Sequence, residues 1–311
     1  MLRTPRTLTL LLLSGVLVAS FAAVGCGDDD DGDGGDATPT TAAATTPQPS
    51  GSVAAGTIDI SGVEELSDGT LDIGSDVAYA PIEFLDESTN EPVGLDIDIA
   101  NAMAEALGVE AKFNNGAFDG LLGALDAERY DVIMSAMTAS DERKEQVDFV
   151  EYFNAGSGII VASGNPKSVA TADDLCGLKV AVQEGTVQVD FLVGPEGEPG
   201  GQDQKCKDAG KDGIEVLKFP TDPEAVQALL AGQADAEMAD FPVAAYSASQ
   251  NEGEIELIPN YQIEPAPYGI AVRKGSTALN EALQKAFDQI VADGTYDEIL
   301  ATWNLEAGKL D

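Results

Sequence analysis

The chain has 311 residues, 55 acidic against 16 basic side chains, a net charge of −39 and no histidine. So acidic a protein repels nucleic acid and anionic membrane surfaces. The lack of histidine excludes Ser-His-Asp and Cys-His nucleophile systems and every His-ligated metal site, and no motif calls for a cofactor.

The first 25 residues read as a leader and not as part of the fold. Arg3 and Arg6 give a basic start, and residues 8–23 are apolar, a run shorter than the ~20 residues that a membrane span needs. Val24-Gly25-Cys26 then places small residues before a cysteine, which resembles a bacterial lipoprotein signal. The resemblance implies cleavage before Cys26, lipidation of its thiol and an anchored mature protein. Residues 26–56 are Asp, Gly, Thr, Ala, Pro and Ser with almost no large apolar side chain, so they are expected to form a disordered tether. Asp29, Asp31, Asp33 and Gly34 imitate the start of a calcium loop, but Thr40 stands where the bidentate Glu is required, and a solvated acidic spacer is the better reading. Removing Arg3 and Arg6 takes the charge from −39 to −41, and removing the six tether Asp leaves −35 on the body. With Cys26 lipidated, Cys176 and Cys206 remain. Two cysteines cannot make a zinc site alone, and in an exported protein they read as a disulfide worth roughly 3–4 kcal/mol; the alternative is two free buried thiols.

The body alternates strand and helix. Strands are predicted at 71–75, 109–113 and 131–134, with helices at 96–107 and 119–127. Ile99, Met103 and Leu107 share one face of the first helix, and Gly108 ends it. A second series follows, with strands at 159–162, 178–183, 214–218 and 234–239, a helix at 222–231 and another from Phe241. The acidic, Gly-rich stretch 194–213 reads as an exposed insertion. A strand at 269–272 and helices at 277–292 and 295–303 complete the chain. This alternation predicts an α/β fold with parallel sheets wrapped by helices, arranged as two lobes. The default site is then the cleft between the carboxyl ends of their strands.

The chemistry gathers at those strand ends. Ser135 to Arg143 follows an apolar strand and supplies small polar groups, helix-start residues (Thr138, Ser140, Asp141) and a guanidinium, a combination suited to a small carboxylate. Read alone, Arg143 could equally be a solvated arginine among Glu142, Lys144 and Glu145. Asp240 follows a strand and could hold an ammonium or serve as a helix N-cap. Asp76 lies at the end of the first strand. Tyr79 and Phe118 could offer ring faces to a flat or cationic group or could pack in the core. Gln183-Glu184-Gly185-Thr186 opens a helix whose backbone N–H groups could cradle an anion.

These segments also carry a resemblance. Residues 69–84 (GTLDIGSDVAYAPIEF), 91–108 (EPVGLDIDIANAMAEALG), 118–125 (FDGLLGAL), 130–149 (YDVIMSAMTASDERKEQVDF) and 267–275 (PYGIAVRKG) are similar, in order, to the polar amino-acid-binding proteins of ABC importers, solute-binding protein family 3. The resemblance implies a type II periplasmic-binding fold, with lobe 1 formed by 57–156 plus 262–311 and lobe 2 by 157–261. It implies that Arg143 takes the ligand α-carboxylate with Thr138, the backbone at Ala136 and Thr186, and that Asp240 takes the α-ammonium. Asp76, Tyr79 and Phe118 would face the side chain, which suits a basic amino acid or, through a hydrogen bond to Asp76, glutamine. Ala136 stands where some relatives carry a serine. Glu237 puts a charge in a strand that is normally apolar and is expected to be partly exposed. The implied protein is an extracytoplasmic, lipid-anchored monomer that hands a free amino acid to an ABC permease and its ATPase. The alternatives are a sensor domain working with a separate membrane protein, or a dehydratase or lyase with Glu184 or Glu237 as its acid–base group.

Overall fold

The computed structural model describes residues 56, 58–195 and 200–310. The expected leader, Cys26 and the tether up to residue 55 lie outside the described residues. The described residues all fall in one compact unit. Among the described residues no helix is long and apolar enough to cross a membrane.

In chain order the strands are β1 (Thr70–Ser75), β2 (Phe84–Leu85), β3 (Pro92–Val93), β4 (Glu110–Asn115), β5 (Val132–Ile133), β6 (Val147–Ala162), β7 (Lys179–Gln183), β8 (Glu215–Phe219), β9 (Ala236–Asp240), β10 (Ile255–Leu257) and β11 (Ile263–Arg273). The helices are α1 (Leu95–Leu107), α2 (Leu121–Asp126), α3 (Asp141–Gln146), α4 (Val187–Val193), α5 (Gly201–Asp208), α6 (Asp222–Leu230), α7 (Phe241–Gln250), α8 (Thr277–Ala292) and α9 (Thr295–Trp303). The main sheet runs β4-β1-β5-β11-β6-β9-β7-β8, with β10 on β6; β2 and β3 form a separate hairpin.

The fold is a two-lobed α/β architecture of the type II periplasmic-binding kind, but its sheet is mixed and not parallel throughout. β4, β1 and β5 are parallel to one another, as are β8, β7 and β9. Between these triplets lie the long strands β6 and β11, antiparallel to each other and to their outer neighbours. Only their apolar pieces, 159–162 and 269–272, were readable as strands. The rest is interrupted by Asn154, Gly156 and Gly158 in β6 and by Pro265 and Pro267 in β11. β6 pairs with β11 along its first half and with β9 and β10 along its second, so it carries the chain from one parallel triplet to the other. At the crossing, a Cβ on Gly156 would collide with the Ile263 carbonyl.

Each lobe has its own core. In the first, Leu71 and Ile73 of β1, Ile99, Met103 and Leu107 of α1, and Leu283, Ile290 and Ile299 of α8 and α9 are buried together. Gly108 ends α1 in the left-handed conformation at φ 74°, where its N–H bonds the Ala104 and Glu105 carbonyls, as a glycine C-cap does. In the second, Ile159, Val180, Val182, Leu192, Met238 and Cys206 cluster. The stretch 194–213, which Cys206 was expected to pin if the disulfide formed, is pinned in that way but is more than an exposed insertion. It contains α5, which buries Gln202 and Cys206, and Cys206 is joined to Cys176 with a Cα–Cα distance of 5.5 Å. A glycine-rich, charged sequence hid a helix of low hydropathy whose anchor is covalent.

Candidate functional site

β1, β5, β7 and β9 end at the cleft between the lobes, and the segments that follow them close around a small cavity. All eight residues predicted from sequence line it: Asp76, Tyr79, Phe118, Ala136, Thr138, Arg143, Thr186 and Asp240. Gln183, from the turn expected to cradle an anion, and Val187 beside it also line it, as do Glu83 and Gln188, which were not anticipated.

Arg143 is not a surface residue. Ser140 caps α3 by accepting from the Arg143 N–H at 3.3 Å, which turns the side chain inward, where it is 8% exposed. Its guanidinium donates to the Thr138 carbonyl at 2.9 Å and, across the cleft, to the Gly185 carbonyl at 3.0 Å. It lies 5.4 Å over the Phe118 ring, so that ring serves the arginine more directly than a ligand side chain. A guanidinium has five N–H donors, so more remain than these two carbonyls use.

Asp240 is the N-terminal flanking residue of α7 but makes no side-chain cap bond, so the helix-cap role considered for its carboxylate is not realised. Its Oδ1 accepts from Gln188 at 2.8 Å, and its Oδ2 accepts from the Tyr79 hydroxyl at 3.1 Å. The same hydroxyl accepts the Asp240 N–H at 3.0 Å, so Tyr79 is fastened by its polar end as well as packed by its ring. Gln188 also donates to Ser157 at 2.9 Å. Asp76 accepts from Gln183 at 2.6 Å, again across the cleft, and from the Phe118 backbone N–H. Burial pushes both carboxyls up to about 6; donors from Gln183 and Phe118 oppose this at Asp76, and donors including Tyr79 and Gln188 oppose it at Asp240.

Ala136 lines the cavity, but its N–H points behind the wall to Asp96 Oδ2 at 2.9 Å. Its φ of 45° is uncommon for a residue with a Cβ, and this backbone bond helps to hold it. Asp96 also accepts the Tyr152 hydroxyl at 2.7 and 2.8 Å and hydrogen-bonds to Glu83. Glu83 Oε1 accepts from Ser135 at 2.8 Å. Burial raises Asp96 to about 7 and Glu83 well above its ordinary range; the Asp96 charge raises Glu83 further, while the contact with Glu83 favours ionisation of Asp96, so the pair keeps a proton near neutral pH. Thr186 turns its hydroxyl back to the Gln183 carbonyl at 2.9 Å.

Gln183 and Gln188 fall within and just after the Gln183–Thr186 turn, and Gln183 is the last residue of a parallel strand; the strand-end rule would have selected it. Glu83 gave no comparable signal. Glu237 is not partly exposed as expected but wholly buried, and neither it nor Glu184 lines the cavity. Among the described residues no three Cys, Asp or Glu are placed to hold a metal ion. The arrangement suits a zwitterion, with a guanidinium on one side and carboxylates on the other, enclosed by groups from both lobes.

Comparison with known proteins agrees with this chemistry. The pattern of the bacterial extracellular solute-binding proteins, family 3, matches residues 71–306. The arginine-binding protein ArgT of Corynebacterium glutamicum is 33% identical over 243 residues, covering 78% of this chain and 77% of its own. The L-cystine-binding protein TcyJ of Escherichia coli K12 is 30% identical, over 76% and 82% respectively. An ancestral arginine-binding protein bound to arginine is 38% identical, with a TM-score of 0.67 over 76% of this chain and 98% of its own. The same kind of protein bound to glutamine gives 38% and 0.66 over 76% and 99%.

Proposed function

Because the chain belongs to the bacterial extracellular solute-binding proteins, family 3, we propose that it captures a basic amino acid, arginine foremost, by closing its lobes around it, and delivers it to a membrane permease driven by a cytoplasmic ATPase. The observation that carries this reading is the charge layout of the cavity. Arg143 stands as its guanidinium, while Asp240, Asp76 and Glu83 contribute three carboxyl groups to the same wall. An α-carboxylate fits Arg143, an α-ammonium fits Asp240, and a cationic side chain fits Asp76.

The mechanism follows from which lobe supplies which group. Asp76, Tyr79 and Arg143 come from the first series of elements, and Gln183, Gln188 and Asp240 from the second. A ligand that touches both sets favours the closed state over the open one, and closure is what a permease can read. We assign residues 57–156 plus 262–311 to the first lobe and 157–261 to the second, and Cys26 to a lipid anchor on a monomeric, extracytoplasmic protein. The fold then acts as a receptor without turnover.

Glutamine is the second reading, favoured by the Gln183 carboxamide at 2.6 Å from Asp76, since a ligand carboxamide could make the same bond. A thermal-shift screen of the common amino acids with ornithine tests the assignment. A ligand at 100 times its dissociation constant adds about 2.7 kcal/mol. Arginine should give the largest shift. A screen in which no basic amino acid raises the melting temperature overturns the proposal, and one led by glutamine selects the second reading.

A further inference from the structure

Behind the second lobe's wall lies a carboxyl pair that the proposed ligand contacts leave unused. Asp222 opens α6, and Glu237 sits in β9, in register with Ile160 of β6 and Ala181 of β7, both fully buried. Glu237 is 0% and Asp222 4% exposed. The two carboxyls hydrogen-bond to each other. Asp222 Oδ1 and both Glu237 oxygens meet no N–H or hydroxyl donor.

The pair lies within electrostatic reach of the cleft. Asp222 feels the charges of Asp240 and Asp76, Glu237 feels Asp240, and Tyr79 feels all of Asp240, Asp222 and Glu237. These are the titratable groups that face it: Asp240 from β9, Asp76 from the end of β1, and Tyr79 from the turn that follows. Closure therefore brings Asp76, Glu83 and Asp96 of one lobe toward Asp222, Glu237 and Asp240 of the other. Among the described residues lining the cavity, Arg143 is the sole cation. Six carboxyls, four of them in two pairs that burial keeps partly protonated, thus face one guanidinium. Like charges gathered away from water oppose their own approach.

We propose that the Asp222–Glu237 pair is a specificity determinant that acts without touching the ligand: it sets the negative charge against which the lobes close, so closure requires a ligand of net positive charge or the uptake of a proton. The inference rests on the basic-amino-acid reading above. An amino acid with a cationic side chain adds a positive charge at the centre of the cluster. A zwitterion of the same shape adds none, and the cluster must bind a proton in its place. Burial raises Asp222 to about 7 and Glu237 well above its ordinary range, so that proton is available near neutrality.

The test compares L-arginine with L-citrulline, its neutral isostere, by titration calorimetry on the full chain between pH 6 and pH 8.5. The wild type and the double variant Glu237→Gln/Asp222→Asn are measured, because either single change leaves one carboxyl able to carry the charge that the pair carries. The arginine dissociation constant should stay within about threefold above pH 7, while that of citrulline should rise about tenfold per pH unit, the slope of one proton taken up. The double variant, whose pair neither carries charge nor titrates, should flatten the citrulline slope and reduce the arginine preference at pH 8 by about tenfold. A merely structural role would weaken both ligands alike and leave the slope unchanged. Should a variant fail to fold, the wild type still decides the matter through titrations in two buffers of different ionisation enthalpy, with about one proton taken up with citrulline and none with arginine. A pH-independent citrulline affinity, citrulline that fails to bind even at pH 6, or a folded double variant with the wild-type preference would overturn the inference. Arginine that binds at no pH would overturn the functional reading beneath it, and the inference with it.

Discussion

Replacing Arg143 by Ala is the sharpest perturbation of the site. The guanidinium is 8% exposed, donates to the Thr138 and Gly185 carbonyls at 2.9 and 3.0 Å, and has the acidic Asp190, Asp240 and Glu142 nearby. A ligand carboxylate placed there without it would be buried among negative groups with no counter-charge. Truncating one partner of a buried, hydrogen-bonded charge pair costs about 2–5 kcal/mol. Loss of the bond to Gly185, which joins the two lobes, adds about 1 kcal/mol to the closed state alone. The expected sum, about 3–6 kcal/mol, corresponds to a loss of affinity on the order of a hundred- to ten-thousand-fold. Folding should suffer less. Among the described residues Arg143 makes no direct ion pair, so its removal forfeits two hydrogen bonds but relieves the desolvation of a buried charge. Arg143→Lys keeps the charge, loses the planar fork and should fall between. Calorimetric titration with arginine at pH 7.5, paired with a ligand-free melt, separates the two effects. An alanine variant that folds normally and binds within threefold of wild type would refute the assignment of the carboxylate to this residue.

Two further predictions follow from the closed geometry and its acids. Gly185 has φ +75°, and a Cβ there would lie 2.8 Å from Asp119 Cα and 2.9 Å from Asp119 Cβ on the opposing lobe. Gly185→Ala should therefore wedge the cleft, weakening binding at least about tenfold beyond the ~1 kcal/mol of backbone strain that the folded protein carries in either state; small-angle scattering that shows full compaction with ligand would contradict it. Stability should also respond to pH. Asp96 and Asp222 are raised to about 7, and Asp76 and Asp240 to about 6, so the folded state holds protons that the unfolded chain releases near pH 4. Their contribution is complete below the unfolded value and is lost as pH rises through 6–7. The ligand-free melting temperature should thus climb from pH 8 to pH 5, less steeply in Glu237→Gln; a flat or inverted profile by scanning calorimetry would count against the buried acids.

The difference between what could and could not be read in advance is physical. α1 was legible because Ile99, Met103 and Leu107 keep a helical period and Gly108 closes it. The site was legible where a group sits at the end of a strand, as Asp76 and Asp240 do, or on the helix that follows one, as Arg143 does, because such ends open on the cleft in any fold of this kind. β6 and β11 were not, since their stability comes from pairing with each other through nine registered partners and not from local propensity. Glu237 was misread for a related reason. A lone acid in a strand reads as an exposed position, because burying a charge without a partner is expensive. Its partner, Asp222, opens a helix 15 residues earlier in the sequence, and only the packing of α6 on β9 brings them together. Tyr79 and Asp240 meet across a separation of 161 residues in the same way. The chemistry of the individual groups is local, whereas their protonation is a property of the closed assembly. Ligand class can therefore be argued from the cavity wall, while the energetics of closing around the ligand depend on acids that line no part of it.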